Sequence, residues 1–204
     1  MIRMSMKLPD KIAIAVSGGP DSMAALDFLS RSNKEILVLH FNHGTVHAKD
    51  AEIMVSDYCS LRNIPYMVGD LAEDIPAGVS KEDFWRQARY KFFDREAGDW
   101  AVVTCHHLDD LVETWLFTAF HGEARLIPSK RGRYLRPFLI TRKALLEEWC
   151  DRKEVPYVID PSNADISYMR NYIRHEVVPR ALRVNPGLPK VLRKRVLNNP
   201  LICD

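Results

Sequence analysis

Four apolar runs of strand length, each followed by a helix-like pattern, occupy the first part of the chain. Ile12 to Val16 (IAIAV) is the first, and Met23, Leu26 and Leu29 follow at helical spacing. Glu35 to Phe41 (EILVLHF) is the second. Behind it, residues 49–63 form an amphipathic helix with Ile53, Val55, Tyr58, Cys59 and Leu61 in its apolar set. Pro65 precedes a short third strand, Tyr66–Val68. A polar loop, Asp70–Ser80, leads to a long helix near Lys81–Ala97, anchored by Phe84, Trp85, Phe92 and Phe93. Trp100–Cys105 (WAVVTC) is the fourth strand, and a further helix opens within HHLDDLVET, residues 106–114. Near-continuous apolar strands alternating with helices predict an α/β fold, a doubly wound, mostly parallel sheet. If its order is 3-2-1-4, the loops after strands 1 and 4 flank the topological switch point.

The second half is less periodic. From His121 to Arg136 the chain is loop-like and basic, with Arg125, Lys130, Arg131, Arg133 and Arg136 against Glu123 alone. It fits a connector or a nucleic-acid contact. Arg136–Ile140 reads as an edge strand, and Thr141 as the cap of a helix over Arg142–Lys153. Val155–Ile159 reads as extended and Asp160–Asn163 as a tight turn. A helix then begins at Met169–Arg174 and ends near Pro179. Arg170 to Arg195 holds eight basic residues and one acid, Glu176. That asymmetry suggests phosphate-backbone binding, or a solubilising tail.

Composition narrows the class. With 204 residues, 47% of them hydrophobic, the chain suffices for a sizeable core. Net charge is only +2, so charge distribution rather than total charge argues for nucleic acid. Cys59, Cys105, Cys150 and Cys203 form no C-x-x-C pair, which suggests neither a disulfide framework nor a zinc site and fits a reducing, cytoplasmic setting. The N-terminal residues lack the apolar core of a signal peptide.

Two strand ends carry candidate chemistry. Ser17-Gly18-Gly19-Pro20-Asp21-Ser22 joins strand 1 to its helix. Glycines permit close approach, backbone N–H groups converge beside the positive helix end, and Asp21 can hold a cation. This suits a phosphate, though an ordinary capped βα turn has the same composition. The loop is neither a Walker A motif nor G-x-G-x-x-G. After strand 4, Glu113 lies one helical turn from Asp109 and Asp110. The three are either first-turn acids favoured by the helix dipole or a carboxylate cluster for Mg²⁺ or an ammonium, with His106 and His107 beside them. His43 ends strand 2, and Arg86 and Arg89 share one face of their helix.

SGGPDS after an apolar strand resembles the pyrophosphate-binding loop of the N-type ATP pyrophosphatases. The ordered set of SGGPDS, HFNHG, RQARYKFF, HHLDDLVET, LRPFL and DPSNADISYMRNYIRHEVVP is similar to the tRNA(Ile)-lysidine synthetase family, from about Ile12 to Val184. This resemblance implies a Rossmann-like fold of the adenine nucleotide alpha hydrolase type, with a short, basic, helical C-terminal extension. It implies an ATP pyrophosphatase catalytic domain over 1–140, its helical continuation over 141–184, and a basic tail over 185–204.

The family reaction adenylates C2 of the anticodon wobble cytidine (C34) of an isoleucine tRNA. Free L-lysine then attacks, and AMP leaves. Ser17, Gly18, Gly19, Asp21, Ser22, His43 and Arg86 would then bind ATP. Mg²⁺ would sit on Asp21 and Asp110. Asp110 and Glu113, with Asp109, would hold the lysine ammonium or the metal, and His106 or His107 would contact phosphate or take a proton. Arg89, Arg125, Lys130, Arg131, Arg170, Asn171 and Arg174 would face the tRNA. Leu111 stands where the family usually has glutamine, and members usually continue into further tRNA-gripping domains, so a minimal form or a fragment is expected, with a homodimer as the oligomeric state to test. A tRNA thiolase, an amide-forming relative and a non-catalytic RNA-binding relative are the alternatives.

Overall fold

The computed structural model describes residues 1–44, 48–71, 78 and 80–198, the Glu82 side chain apart. Most of the Asp70–Ser80 loop lies outside the described residues. The elements are β1 (Lys11–Ala15), α1 (Pro20–Ser30), β2 (Glu35–Asn42), α2 (Ala48–Leu61), β3 (Tyr66–Asp70), α3 (Lys81–Glu96), β4 (Ala101–Val103), α4 (Leu108–Phe120), β5 (Lys130–Arg131), β6 (Tyr134–Leu135) and α5 (Lys143–Lys153). A 3-10 turn (Pro161–Ala164) then precedes α6 (Met169–Tyr172), a π-turn (Ile173–Val177), α7 (Val178–Val184) and α8 (Leu188–Asn198).

The sheet runs β3-β2-β1-β4-β6-β5, with only β5 antiparallel. The expected order 3-2-1-4 therefore forms the sheet from its β3 edge inward, with β6 and β5 added beyond β4. Ala13 pairs with Leu37 on one side and Val102 on the other, which puts β1 in mid-sheet. From Ile12 onward its residues are apolar because both faces are covered. Ile12 and Ile14 pack with Met23, Leu26, Val55 and Leu146 of the α1, α2 and α5 layer and with Phe138 from the segment after β6. Ala13 faces Phe92 and Phe93 of α3.

The predicted edge strand at 136–140 is not one. Pro137 has no N–H to extend a ladder, and the pairing is made earlier, at Tyr134 and Leu135 on Val102 and Val103. Phe138 and Leu139 turn into the core instead. Thr141 does not cap α5. Its hydroxyl exchanges hydrogen bonds with the Arg3 backbone, and the Asp109 carboxylate accepts the Lys143 N–H at 2.7 Å.

The basic C-terminal stretch is a packed helix. Leu188, Leu192 and Val196 of α8 are buried against Leu108, Leu111, Val112 and Leu116 of α4. The helix beginning at Met169 also continues past Pro179. Proline lacks an N–H and crowds the carbonyl four residues back. Here the wider π-turn absorbs this defect, and the Val178 N–H donates to Ile173 O.

A polar hub ties three helices together. The Asp27 carboxylate, 1% exposed, accepts from Tyr58 Oη of α2 (2.7 Å), Trp149 Nε1 of α5 (2.8 Å) and Arg31 Nε and Nη2 (2.8 and 3.0 Å).

Candidate active site

Parallel strands deliver their carboxyl ends to one edge, and there the loops after β1 and β4 meet. The SGGPDS loop is held from within. Ser22 Oγ accepts the Ser17 N–H at 3.2 Å and donates to Gly19 O at 3.0 Å. Gly18 has φ +87°, and a Cβ there would lie 2.9 Å from Ala51 Cβ, so only glycine passes this close to α2. Gly19 precedes Pro20, the first residue of α1, leaving its end open to an anion.

His107 joins the two loops. It is the N-cap of α4: its Nδ1 accepts the Asp110 N–H (3.2 Å) and Asp110 Oδ2 accepts the His107 N–H (2.9 Å), a capping box with histidine as the cap. This acceptor role puts the neutral ring's proton on Nε2, which faces Asp21 Oδ2 at 3.5 Å. Each ring nitrogen thus meets a carboxylate. Burial opposes the charge, but Asp110 and Asp21 hold the His107 pKa above its ordinary value. Burial would raise Asp21, yet His107 and Lys143 hold it below the usual carboxylate range. Lys143 Nζ lies 3.6 Å away. Asp21 Oδ1 is buried without a partner.

The row continues through Arg174. Its Nη2 lies 3.6 Å from Asp110 Oδ1. Its Nε and Nη2 hold Glu113 Oε1 and Oε2 at 2.7 and 3.0 Å. Lys143, Asp21, His107, Asp110, Arg174 and Glu113 so form a line of alternating charge drawn from α5, α1, α4 and the π-turn.

The neighbouring histidine has the opposite bias. Burial, with Arg136 and Arg170 adding to it and Asp110 opposing, pushes His106 down to about 4. Its Nδ1 lies 3.1 Å from Thr104 Oγ1. At neutral pH His106 is a neutral base beside His107, whose pKa is held above its ordinary value. His43, at the end of β2, is likewise pushed to about 4 by burial and by Arg89, whose guanidinium lies 3.4 Å from its Nε2. The His43 ring also lies against Trp85, 5.2 Å between centroids. Arg86 lies over the Tyr90 ring at 4.9 Å.

Other predicted residues are engaged elsewhere. Asp109 is tied to Arg142 at 2.8 Å and to the start of α5, so it joins α4 to α5. Asn171 donates to Ser162 O and Asp165 O, both at 2.9 Å, staking the 3-10 turn. Arg174 lies in the site on Glu113 rather than on an open RNA face. Exposed Arg125 pairs with Glu123, and Lys130 and Arg131 lie on the edge strand β5. Lys143 is an addition that sequence reasoning missed. Nothing in local spacing ties Lys143 to Asp21, which is brought beside it by the packing of α5 on α1.

Residues 3–181 match the family of the PP-loop domain. The chain belongs to the PP-loop family. Membership implies use of ATP. Curated relatives include the tRNA(Ile)-lysidine synthase of Thermotoga maritima (strain ATCC 43589 / DSM 3109 / JCM 10099 / NBRC 100826 / MSB8), 33% identical over 205 residues, 92% of this chain and 49% of the relative. That of Geobacter sulfurreducens (strain ATCC 51573 / DSM 12127 / PCA) is 35% identical over 198 residues, 87% of this chain and 41% of the relative. The chain spans about half the length of the curated relatives it matches. Among solved structures, the NH3-dependent NAD synthetase of Campylobacter jejuni superposes with a TM-score of 0.53 at 15% identity, covering 95% of this chain and 86% of that one. The NMN synthetase of Francisella tularensis gives 0.51 at 15% identity, over 72% and 63%. These two likenesses establish the fold alone. Among the described residues no helix is long and apolar enough to cross a membrane.

Proposed function

We propose that this PP-loop protein is an adenylating ligase of the tRNA(Ile)-lysidine synthetase type. It would activate C2 of the wobble cytidine (C34) of an isoleucine tRNA and join free L-lysine to it. The observation that carries this is the alternating row from Lys143 to Glu113, linked through Asp21 to the phosphate loop. An amino acid brings one ammonium and one carboxylate. It exchanges partners with the Asp110–Arg174–Glu113 group and leaves neither sign uncompensated.

The steps follow from the groups present. The cytidine C2 oxygen attacks the α-phosphorus of ATP, and pyrophosphate leaves into the N–H cradle of Ser17–Ser22 and the α1 terminus. The lysine ε-amine, freed of its proton, then attacks C2, and the C2–O bond breaks to release AMP. Neutral His106 is the base suited to that proton. Mg²⁺ fits the same edge, because the bare Asp21 Oδ1 is an oxygen ligand without another use and Asp110 lies across His107 from it. Mg²⁺ binds through one or two carboxylates plus substrate phosphates, the role open to Asp21 and Asp110. Bound there, Mg²⁺ would offset the charge of the departing pyrophosphate.

A thiolase-type reaction is less supported. Cys105 Sγ points at Ala15 O (3.6 Å), and burial drives its thiol well above the ordinary range, whereas a sulfur-transfer nucleophile needs a thiolate. ATP–pyrophosphate exchange, with and without a C34-bearing isoleucine tRNA, followed by transfer of labelled lysine, tests the proposal. Asp110→Ala and Glu113→Ala, checked for folding by circular dichroism, should abolish transfer. Exchange indifferent to that tRNA, or wild-type transfer by either folded variant, rejects the reading.

A further inference from the structure

The LRPFL segment stands out in the sequence, yet nothing in the row just described uses it. Its arginine is an anomaly. Among the described residues, three side chains of permanent charge are buried: Asp27, Glu113 and Arg136. Asp27 is paired with Arg31, and Glu113 with Arg174. Arg136, 4% exposed, makes no ion pair among the described residues. Its Nη1 donates to Pro128 O at 2.8 Å, and its Nε is buried with no partner at all.

Its surroundings make matters worse. Burial opposes its charge, Tyr90 favours it, and Arg86 and Arg131 oppose it. Arg136 in turn acts on His106 of the candidate site, and Arg86 and Arg131 are exposed. Tyr90 is sandwiched in this corner, with Arg86 over its ring and Tyr134 at 4.7 Å. A buried charge normally has a counter-ion, because its desolvation is otherwise uncompensated. Arg86 stacks on Tyr90, Arg86 and Arg131 both act on Arg136, and among the described residues no acid pairs with Arg136. A guanidinium fork matches a phosphate in shape as well as charge.

We propose that Arg136, with Arg86 and Arg131, forms an anion subsite that takes a substrate phosphate group, separate from the SGGPDS cradle. The proposal deepens the reading above and rests on it for the source of the phosphate, which is either the nucleotide or the RNA backbone.

The test compares wild type, Arg136→Met and Arg136→Lys by thermal melting and titration with inorganic pyrophosphate, ATP and a C34 anticodon stem-loop RNA. Arg136→Met should melt no lower than wild type when free, since an uncompensated cation has been removed. It should bind the relevant ligand roughly 10- to 100-fold more weakly, as befits loss of a charged hydrogen bond. Arg136→Lys, which keeps the charge and loses the fork, should fall between. Weakening towards pyrophosphate and ATP identifies a nucleotide phosphate, and weakening towards RNA alone identifies the backbone. Unchanged affinity of Arg136→Met for all three, or no binding of any by wild type, overturns the subsite. If Arg136→Met does not fold, Arg136→Lys decides by the same criterion. Pyrophosphate exchange by wild type, run in parallel, judges the ligase reading separately: its absence alongside Arg136-dependent binding removes that reading and leaves the subsite.

Discussion

Replacing Arg174 by methionine would remove the only cation that touches Glu113 among the described residues, Glu113 being 5% exposed. Both carboxylate oxygens lose a short, charged hydrogen bond, and Asp110 Oδ1 loses its neighbour at 3.6 Å. Breaking one side of a buried pair costs about 3–5 kcal/mol. The Arg174 side chain keeps 28% exposure, so water reaches the gap and the loss falls to about 2–4 kcal/mol. For a domain of this size that is roughly 5–15 °C in melting temperature. Arg174→Met/Glu113→Gln removes both charges and should regain about half of the loss, an interaction energy of about 1–3 kcal/mol. Urea denaturation of wild type, both single variants and the double variant, followed by circular dichroism, closes the cycle. Additive single losses, or an Arg174→Met loss below about 0.5 kcal/mol, would show that the pair is not the buried contact described above.

Asp27→Ala should cost about 3 kcal/mol, because the Tyr58 hydroxyl and the Trp149 indole N–H lose their acceptor. Chemical denaturation within about 0.5 kcal/mol of wild type would mean the hub does not hold α1, α2 and α5. Gly18→Ala should cost about 1–2 kcal/mol from its left-handed backbone alone, with the 2.9 Å contact to Ala51 added. Gly19→Ala, at φ −75° and with nothing nearer than 3.7 Å, should lose less, about 0.5 kcal/mol for exchanging a glycine cap for alanine, and equal losses in the two would contradict the loop geometry. Stability should be greatest near pH 6.5. His106 and His43, held near 4 when folded, bind protons in the unfolded chain first, so stability falls as pH drops from 6.5 to about 4, by up to ~3 kcal/mol each. The contribution of His107, whose folded pKa is raised, is present below 6.5 and is lost as pH climbs through its folded value. Melting temperatures across pH 4–8 check this, and a His106→Asn variant whose acid limb is as steep as wild type would count against it.

Sequence alone determined the sheet and the position of its two functional loops. The strands of the 3-2-1-4 core are apolar on both faces, and that pattern has few folded solutions other than a covered parallel sheet. The loops after β1 and β4 must then share the carboxyl edge, so Asp21, His106, His107, Asp110 and Glu113 were legible together. Partner choice was not. Asp109 and Asp110 are adjacent in the chain, and the helix turns one to Arg142 and the other to His107. Arg174 and Glu113 are 61 residues apart and meet because Pro179 forces a π-turn and α6–α7 pack on α4. The pairing of Lys143 with Asp21, the Asp27 hub and the solitary burial of Arg136 are likewise products of helix packing. Periodicity reports which face of a segment avoids water. Which charges end opposite one another, and which are left without a counter-ion, depends on distances between elements that no local pattern encodes.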